Sequence, residues 1–176
     1  MQFGTFGPFE VPVDDWGNIS TALSDFWDAV GLEWPGLSNG RGCYVFGLSK
    51  SGGSRIEPWY VGKTNRQNFE SECFKSHQLN HYSRALNRYE RAKPHIYLIA
   101  QFTNNGTKLY RGKTGSAIEF LETYLIGLAL SANPDLMNKR DTKLYREVVL
   151  PGFLNSTPGH PGKGANKLRE TLRFEL

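Results

Sequence analysis

Apolar residues along this chain alternate between short β-like runs and helical spacings, and the pattern predicts an α+β protein. Phe3 to Val13 alternates imperfectly and fits an edge strand. Leu23, Phe26, Trp27 and Val30 follow at i, i+3, i+4 and i+7, which predicts a helix capped by Asn18 or Ser20 and stopped at Gly31. Cys43 to Leu48 and Ile56 to Val61 are apolar and rich in β-formers. Between them lies the polar segment Ser49 to Ser54 with its Gly-Gly pair, so the simplest reading is a hairpin. Antiparallel pairing would carry Tyr44 and Tyr60 to one end of that ribbon.

A polar helical region follows. It opens at Thr64 or Asn65 and runs, with a break near Gln78 to Asn80, to about Ala92, where Pro94 stops it. Phe69, Cys73 and His77 lie four apart, which predicts that this line points inward. His95 to Phe102 reads as a third strand, with a turn at Asn104-Asn105-Gly106 leading into a short partner at Lys108 to Arg111. The clearest helix starts at Ser116-Ala-Ile-Glu119, a capping-box pattern, and carries Ile118, Leu121, Leu125, Leu128 and Ala129 before Asn133-Pro134 ends it. Glu147 to Leu150 reads as a strand, Asn155 to Gly164 as a flexible loop, and Ala165 to Leu172 as a short closing helix. There is no internal repeat. The expected fold is a small, mostly antiparallel sheet of about three strands flanked by helices, with an extra N-terminal helix.

Length changes this picture little: 176 residues suit one domain with a proper core. No apolar run approaches a bilayer span, and the first residues lack the basic and apolar regions of a signal peptide. These features predict a cytoplasmic protein with no membrane partner. Cys43 and Cys73 are too few for a disulfide framework or a cysteine-based zinc site, so reduced thiols are expected. Charge adds a division. The net charge is +4, yet residues 1 to 40 hold six acidic side chains and no Lys or Arg, so the body of the chain carries about +10. A basic body suits a polyanionic partner. The acidic segment reads either as an arm shielding that body or as an amphipathic helix with a solvated side.

Single residues then stand out. Glu122 falls at the border of an apolar stripe, and its own helix offers it no cation. A carboxylate there needs either a tertiary salt bridge or a metal ion. Arg84, Arg88 and Arg91 stand at i, i+4 and i+7, as phosphate contacts or as an ordinary solvated face. His77 and His81 form H-Q-L-N-H, similar to the zinc-protease motif H-E-x-x-H, but Gln78 replaces the glutamate that would act as base.

Gly42-Cys43-Tyr44 and Tyr60-Val61-Gly62 resemble the two signature tripeptides of the GIY-YIG nucleases, with Cys in place of the usual Ile or Val in the first. A polar helix ending near His77, a helix carrying Glu122, and Asn138 in an N-K-R context follow in the family's order. The resemblance covers about residues 41 to 141. It implies a nuclease domain over 41–145, preceded by an acidic extension (1–40) packed on the core. Residues 146–176 would be a C-terminal part of the same globule.

The resemblance also implies chemistry: a divalent-metal-dependent endonuclease acting on nucleic acid, DNA more than RNA. Glu122 would hold one Mg²⁺ or Mn²⁺, Tyr44 would take the proton from the attacking water, and Tyr60 would share or orient that work, with His77 beside them. Lys63 is the cation best placed in sequence to lower a phenol from its ordinary pKa of about 10. Lys75, Arg84, Arg88, Asn138, Lys139 and Arg140 are the expected contacts to the nucleic acid. One position departs from the family: its helix arginine is Cys73 here, next to Glu72, leaving Lys63, Arg66, Lys75 or Arg84 to replace it. That departure keeps open a catalytically inactive module that binds DNA or RNA, and, third, a protein-interaction domain. No zinc finger or helix-turn-helix is evident, so contacts would go mostly to phosphate and sequence preference would be weak.

Overall fold

The hairpin forms as β2 (Gly42–Lys50), longer at both ends than its apolar run, and β3 (Ile56–Lys63), longer at its C-terminal end. It lies in a four-stranded antiparallel sheet of order β1-β4-β2-β3, with β1 at Gln2–Glu10 and β4 at Ala92–Phe102. These observations come from a computed structural model that describes residues 2–50, 53, 55–64, 66–89, 91–103, 106–112, 115–138, 142–147, 150 and 162–172. The protein is α+β. The fourth strand beyond the expected three is β1, which pairs along β4 from Gln2↔Phe102 to Glu10↔His95 and forms one edge of the sheet.

Side chains of β2 alternate between two faces. Tyr44, Phe46 and Leu48 enter the larger core with Ile96 and Leu98 of β4, under helix α1 (Ser24–Glu33) and helix α3 (Ser76–Leu86). Cys43 and Val45 face the other way, onto helix α4 (Ser116–Ala132), packing with Ile99, Ile118, Leu121 and Leu125. The sheet is therefore covered on both sides, deeply by α1 and α3 and thinly by α4. The acidic segment belongs to the deep side, where Val11, Phe26 and Val30 are buried.

Local chemistry accounts for the element ends that differ from the sequence pattern. α1 begins at Ser24 because the residues before it make a turn instead. The Asp14 carboxylate accepts from the Trp16 and Asn18 amides, and Val13 bridges Ile19. The helix then runs through Gly31 to Glu33. In α4, Gly115 occupies the cap and Ser116 is already helical, so the capping box does not form and Glu119 is left available. Leu128 is half-exposed beside Phe120 and Tyr124 on the outer side.

The largest shift lies between β3 and β4. Asn68, not Thr64 or Asn65, caps the first helix there, accepting from the Ser71 amide, and α2 spans only Phe69–Glu72. An extended Lys75 separates it from α3. The break therefore comes earlier than Gln78 and resets the helical phase: Phe69 and Cys73 are buried as expected, but His77 is exposed and Gln78, Tyr82, Ala85 and Leu86 turn inward. α3 ends at Leu86 and β4 begins at Ala92, so Pro94 sits inside a strand.

After α4 the chain follows the outer edge of β3. The Asn133 side-chain amide donates to the Pro58 carbonyl at 2.8 Å, and the Met137 amide donates to the Trp59 carbonyl at 2.8 Å. Residues 1–137 form one compact unit and 138–176 a second. The second holds α5 (Lys143–Glu147), where a strand start was expected, and α6 (Lys163–Leu172), which realises the expected closing helix. Residues 148 and 149 of the expected strand, and 155–161 of the expected loop, lie outside the described residues. Among the described residues no helix is long and apolar enough to cross a membrane.

Candidate functional site

Antiparallel register brings the two tyrosine tripeptides together. Tyr44 stands opposite Gly62 and Phe46 opposite Tyr60, so the tyrosines are diagonal neighbours on one face, ring centroids 6.3 Å apart. The glycines are needed here for space. A Cβ on Gly62 would run into the Tyr44 ring, and one on Gly42 into the Ile99 carbonyl of β4. Thr64 grips Gly42 from the other side: its amide donates to the Gly42 carbonyl at 2.9 Å and its hydroxyl accepts from the Gly42 amide at 3.0 Å.

The two phenols differ in access. Tyr44 has no exposed surface, and its hydroxyl oxygen accepts from the Gln78 side-chain amide at 3.0 Å. Gln78 is itself buried, and its own carbonyl oxygen has no hydrogen-bond partner among the described residues. Tyr60 is only partly buried and stacks on His81, with ring centroids 4.9 Å apart. Burial drives the pKa of Tyr44 well up, against the lowering effect of the Gln78 hydrogen bond. Tyr60 is pushed up to about 12 by burial and by the carboxylates of Glu122 and Glu72. Lys63 is not among the groups that move either phenol. At neutral pH both tyrosines therefore keep their protons, and each can donate a hydrogen bond.

Lys63 is held by Glu122. Its ammonium lies 2.8 Å from one Glu122 carboxylate oxygen and 3.9 Å from a Glu119 oxygen. The Lys63 and Glu122 side chains keep 21% and 19% of their surface, while Glu119 is 65% exposed. The cation that the helix itself does not supply thus comes from the end of β3, and the carboxylate field also reaches Cys43, whose thiol rises to about 12 through burial and Glu122. Among the described residues no group of three or more His, Cys, Asp and Glu converges as a metal cage. Two carboxylates meeting at one point do fit a hard cation such as Mg²⁺, which takes one or two carboxylates and completes its shell with water and phosphate oxygens.

Other residues proposed from sequence are placed differently. His77 is exposed, one turn of α3 before His81, and His81 is the histidine that meets Tyr60. Cys73, at the place of the family's helix arginine, is wholly buried, and the neighbouring Glu72 carboxylate binds Lys75 at 2.8 Å. Arg88 pairs with Asp135 at 3.1 Å and lies 5.1 Å above the Trp59 ring, so it is engaged within the fold. Because α3 ends at Leu86, Arg84, Arg88 and Arg91 do not form one helical stripe; Arg84 alone is helical and exposed. Asn138 begins the second unit, and Lys139 and Arg140 lie outside the described residues.

Three residues enter the site without having been singled out for it: His81, Gln78 and Glu119. Phase was the available signal for the first two, since a break three residues earlier turns Gln78 inward. Arg41 adds a structural cation. Its guanidinium donates to the Gly112 carbonyl and to the Arg66 carbonyl at 3.2 Å, tying together the loops before α4 and after β3. Compared with protein-family models, curated proteins and solved structures, the chain matches none.

Proposed function

We propose that this chain is a divalent-metal-dependent endonuclease that hydrolyses phosphodiester bonds in nucleic acid, DNA more than RNA, in the manner of the GIY-YIG nucleases it resembles. The observation that carries the reading is the register of β2 and β3. It sets Tyr44 against Gly62 and Tyr60 diagonally beside Tyr44, with Tyr60 inside the field of the Glu122 carboxylate.

Glu122 would hold the ion, with Glu119 beside it. When bound, a divalent ion supplies charge on the phosphate oxygens, a more acidic water, and relief of the carboxylate field that raises Tyr60. Tyr60, the more exposed phenol, keeps its proton and orients the attacking water, and stacking on His81 fixes its ring. Tyr44 shapes the floor through Gln78 and Gly62. Lys63, Arg66 and Arg84 are the cations that stand in for the absent helix arginine. The test is incubation with supercoiled plasmid and Mg²⁺ or Mn²⁺. Nicking that Glu122→Gln lowers at least a hundredfold is expected; equal nicking by the variant removes the assignment.

A second reading is a module that keeps this fold and binds nucleic acid without cutting it. The observations favouring it are that Lys63 already satisfies Glu122, and that burial keeps both phenols protonated. Salt-sensitive binding of a duplex with no nicking in either metal would select it.

A further inference from the structure

Lys63 occupies the point at which the two α4 carboxylates converge. We propose that it is the resident counterion of this site, so that a divalent ion binds Glu122 only as the Lys63 ammonium leaves it. The inference rests on the reading of Glu122 as the metal ligand and adds how that site is gated.

The geometry supplies the competition. A divalent ion on the Glu122 oxygen that holds Lys63 at 2.8 Å would stand within a few ångströms of the ammonium, and like charges at that spacing repel strongly. Glu119, at 3.9 Å, offers a second oxygen to whichever cation is present. Lys63 is suited to leaving. It is the last residue of β3, its ammonium is a point charge on a flexible four-carbon stem, and part of its side chain already reaches solvent. Its backbone is held in the ladder opposite Cys43, so the head can move while the strand stays in place. The pair thus keeps a half-buried carboxylate neutralised in the resting protein, and entry of the ion becomes an exchange of cations.

Direct titration with Mn²⁺, reading the free ion by electron paramagnetic resonance, tests this on the full chain. Lys63→Met should bind Mn²⁺ at least tenfold more tightly than the parent, and Glu122→Gln should abolish binding in both backgrounds. Lys63→Arg, which strengthens the pair, should bind more weakly than the parent and serves if Lys63→Met does not fold. Glu122-dependent binding that Lys63→Met leaves unchanged or weakens overturns the exchange while the metal assignment stands. Binding by none of the variants removes both. A second readout uses an amine-acetylating ester with mass spectrometry: saturating Mn²⁺ should raise the acetylation rate of Lys63 severalfold, and an unchanged rate overturns the proposal.

Discussion

The two faces of the β2–β3 ribbon are built by alternate residues of the same two strands, yet they hold protons and charges differently. On the deep face Tyr44 neighbours Tyr60, and Phe46 and Tyr60 meet Tyr82, with Phe46 and Tyr82 stacked at 3.9 Å; the phenols there keep their protons, and the buried Glu72 carboxylate beside them is paired with Lys75. On the face under α4 the buried cluster among the described residues is Cys43, Ile99 and Ile118, and at its margin Lys63, Glu122 and Glu119 carry full charges. Depth of cover and the presence of an opposite charge together decide the difference. Removing water makes ionisation of a phenol expensive, while a margin with one-fifth of its side-chain surface exposed tolerates a paired ammonium and carboxylate. A site built across such a ribbon draws its hydrogen-bond donors from one face and its charge from the other.

The comparison can be broken first at its deep side. Phe46→Ala should destabilise the protein by about 4 kcal/mol, because it removes a fully buried ring stacked on Tyr82. Denaturant unfolding followed by circular dichroism gives the value, and a loss below about 1 kcal/mol would mean that this face is not the main core.

Gly62→Ala comes next, at about 3 kcal/mol, since the added methyl group meets the rigid Tyr44 ring. Placed on a Tyr44→Ala background the same change should cost much less. Equal losses in the two backgrounds would show that the glycine serves something other than the ring.

The retained protons predict a pH window. The folded chain holds the Cys43 thiol and Tyr60 phenol protonated up to about 12, against ordinary values of 9.0 and 10.0. Between those limits the folded state binds more protons than the unfolded one. The contribution of these two groups to stability is therefore level below about pH 9 and is lost as pH rises through about 12. Melting temperatures between pH 8 and 11.5 should show the decline, and Tyr60→Phe should make it shallower; a flat profile would remove the burial argument.

The smallest effect is expected at the charged margin. Glu122→Gln should change stability by about 1 kcal/mol or less, because the pair is partly solvated and the amide oxygen still accepts from Lys63. A loss of about 3 kcal/mol in the same unfolding assay would show that the ion pair is structural.

Legibility in the sequence followed the range of the interactions. The hairpin, the edge strand and α4 were readable because periodicity and turn residues act over a few positions. Even so, the ends of α1 were misplaced, since the Asp14 side chain builds a turn before the helix. The break at Lys75 was not readable in place. A polar run offers several stopping points, and burial of Phe69 and Cys73 beneath the sheet selects among them. That shift of three residues turns His77 outward and makes His81 and Gln78 the neighbours of the tyrosines. Glu122 was legible as a carboxylate in want of a cation, but its partner lies 59 residues earlier, a distance over which spacing carries no information.

The sheet's two outer strands have a further consequence, for how copies of this chain meet. An open edge presents a row of amides and carbonyls on which a strand from another molecule can polymerise. Both outer strands carry a proline, Pro8 in β1 and Pro58 in β3, and each proline removes a donor from that row. In β1 the pairing slips between Phe6 and Phe9. In β3 the carbonyls of Pro58 and Trp59 are already taken by Asn133 and Met137. Strand-by-strand growth into aggregates is therefore disfavoured at both borders, by residues that the candidate site does not use.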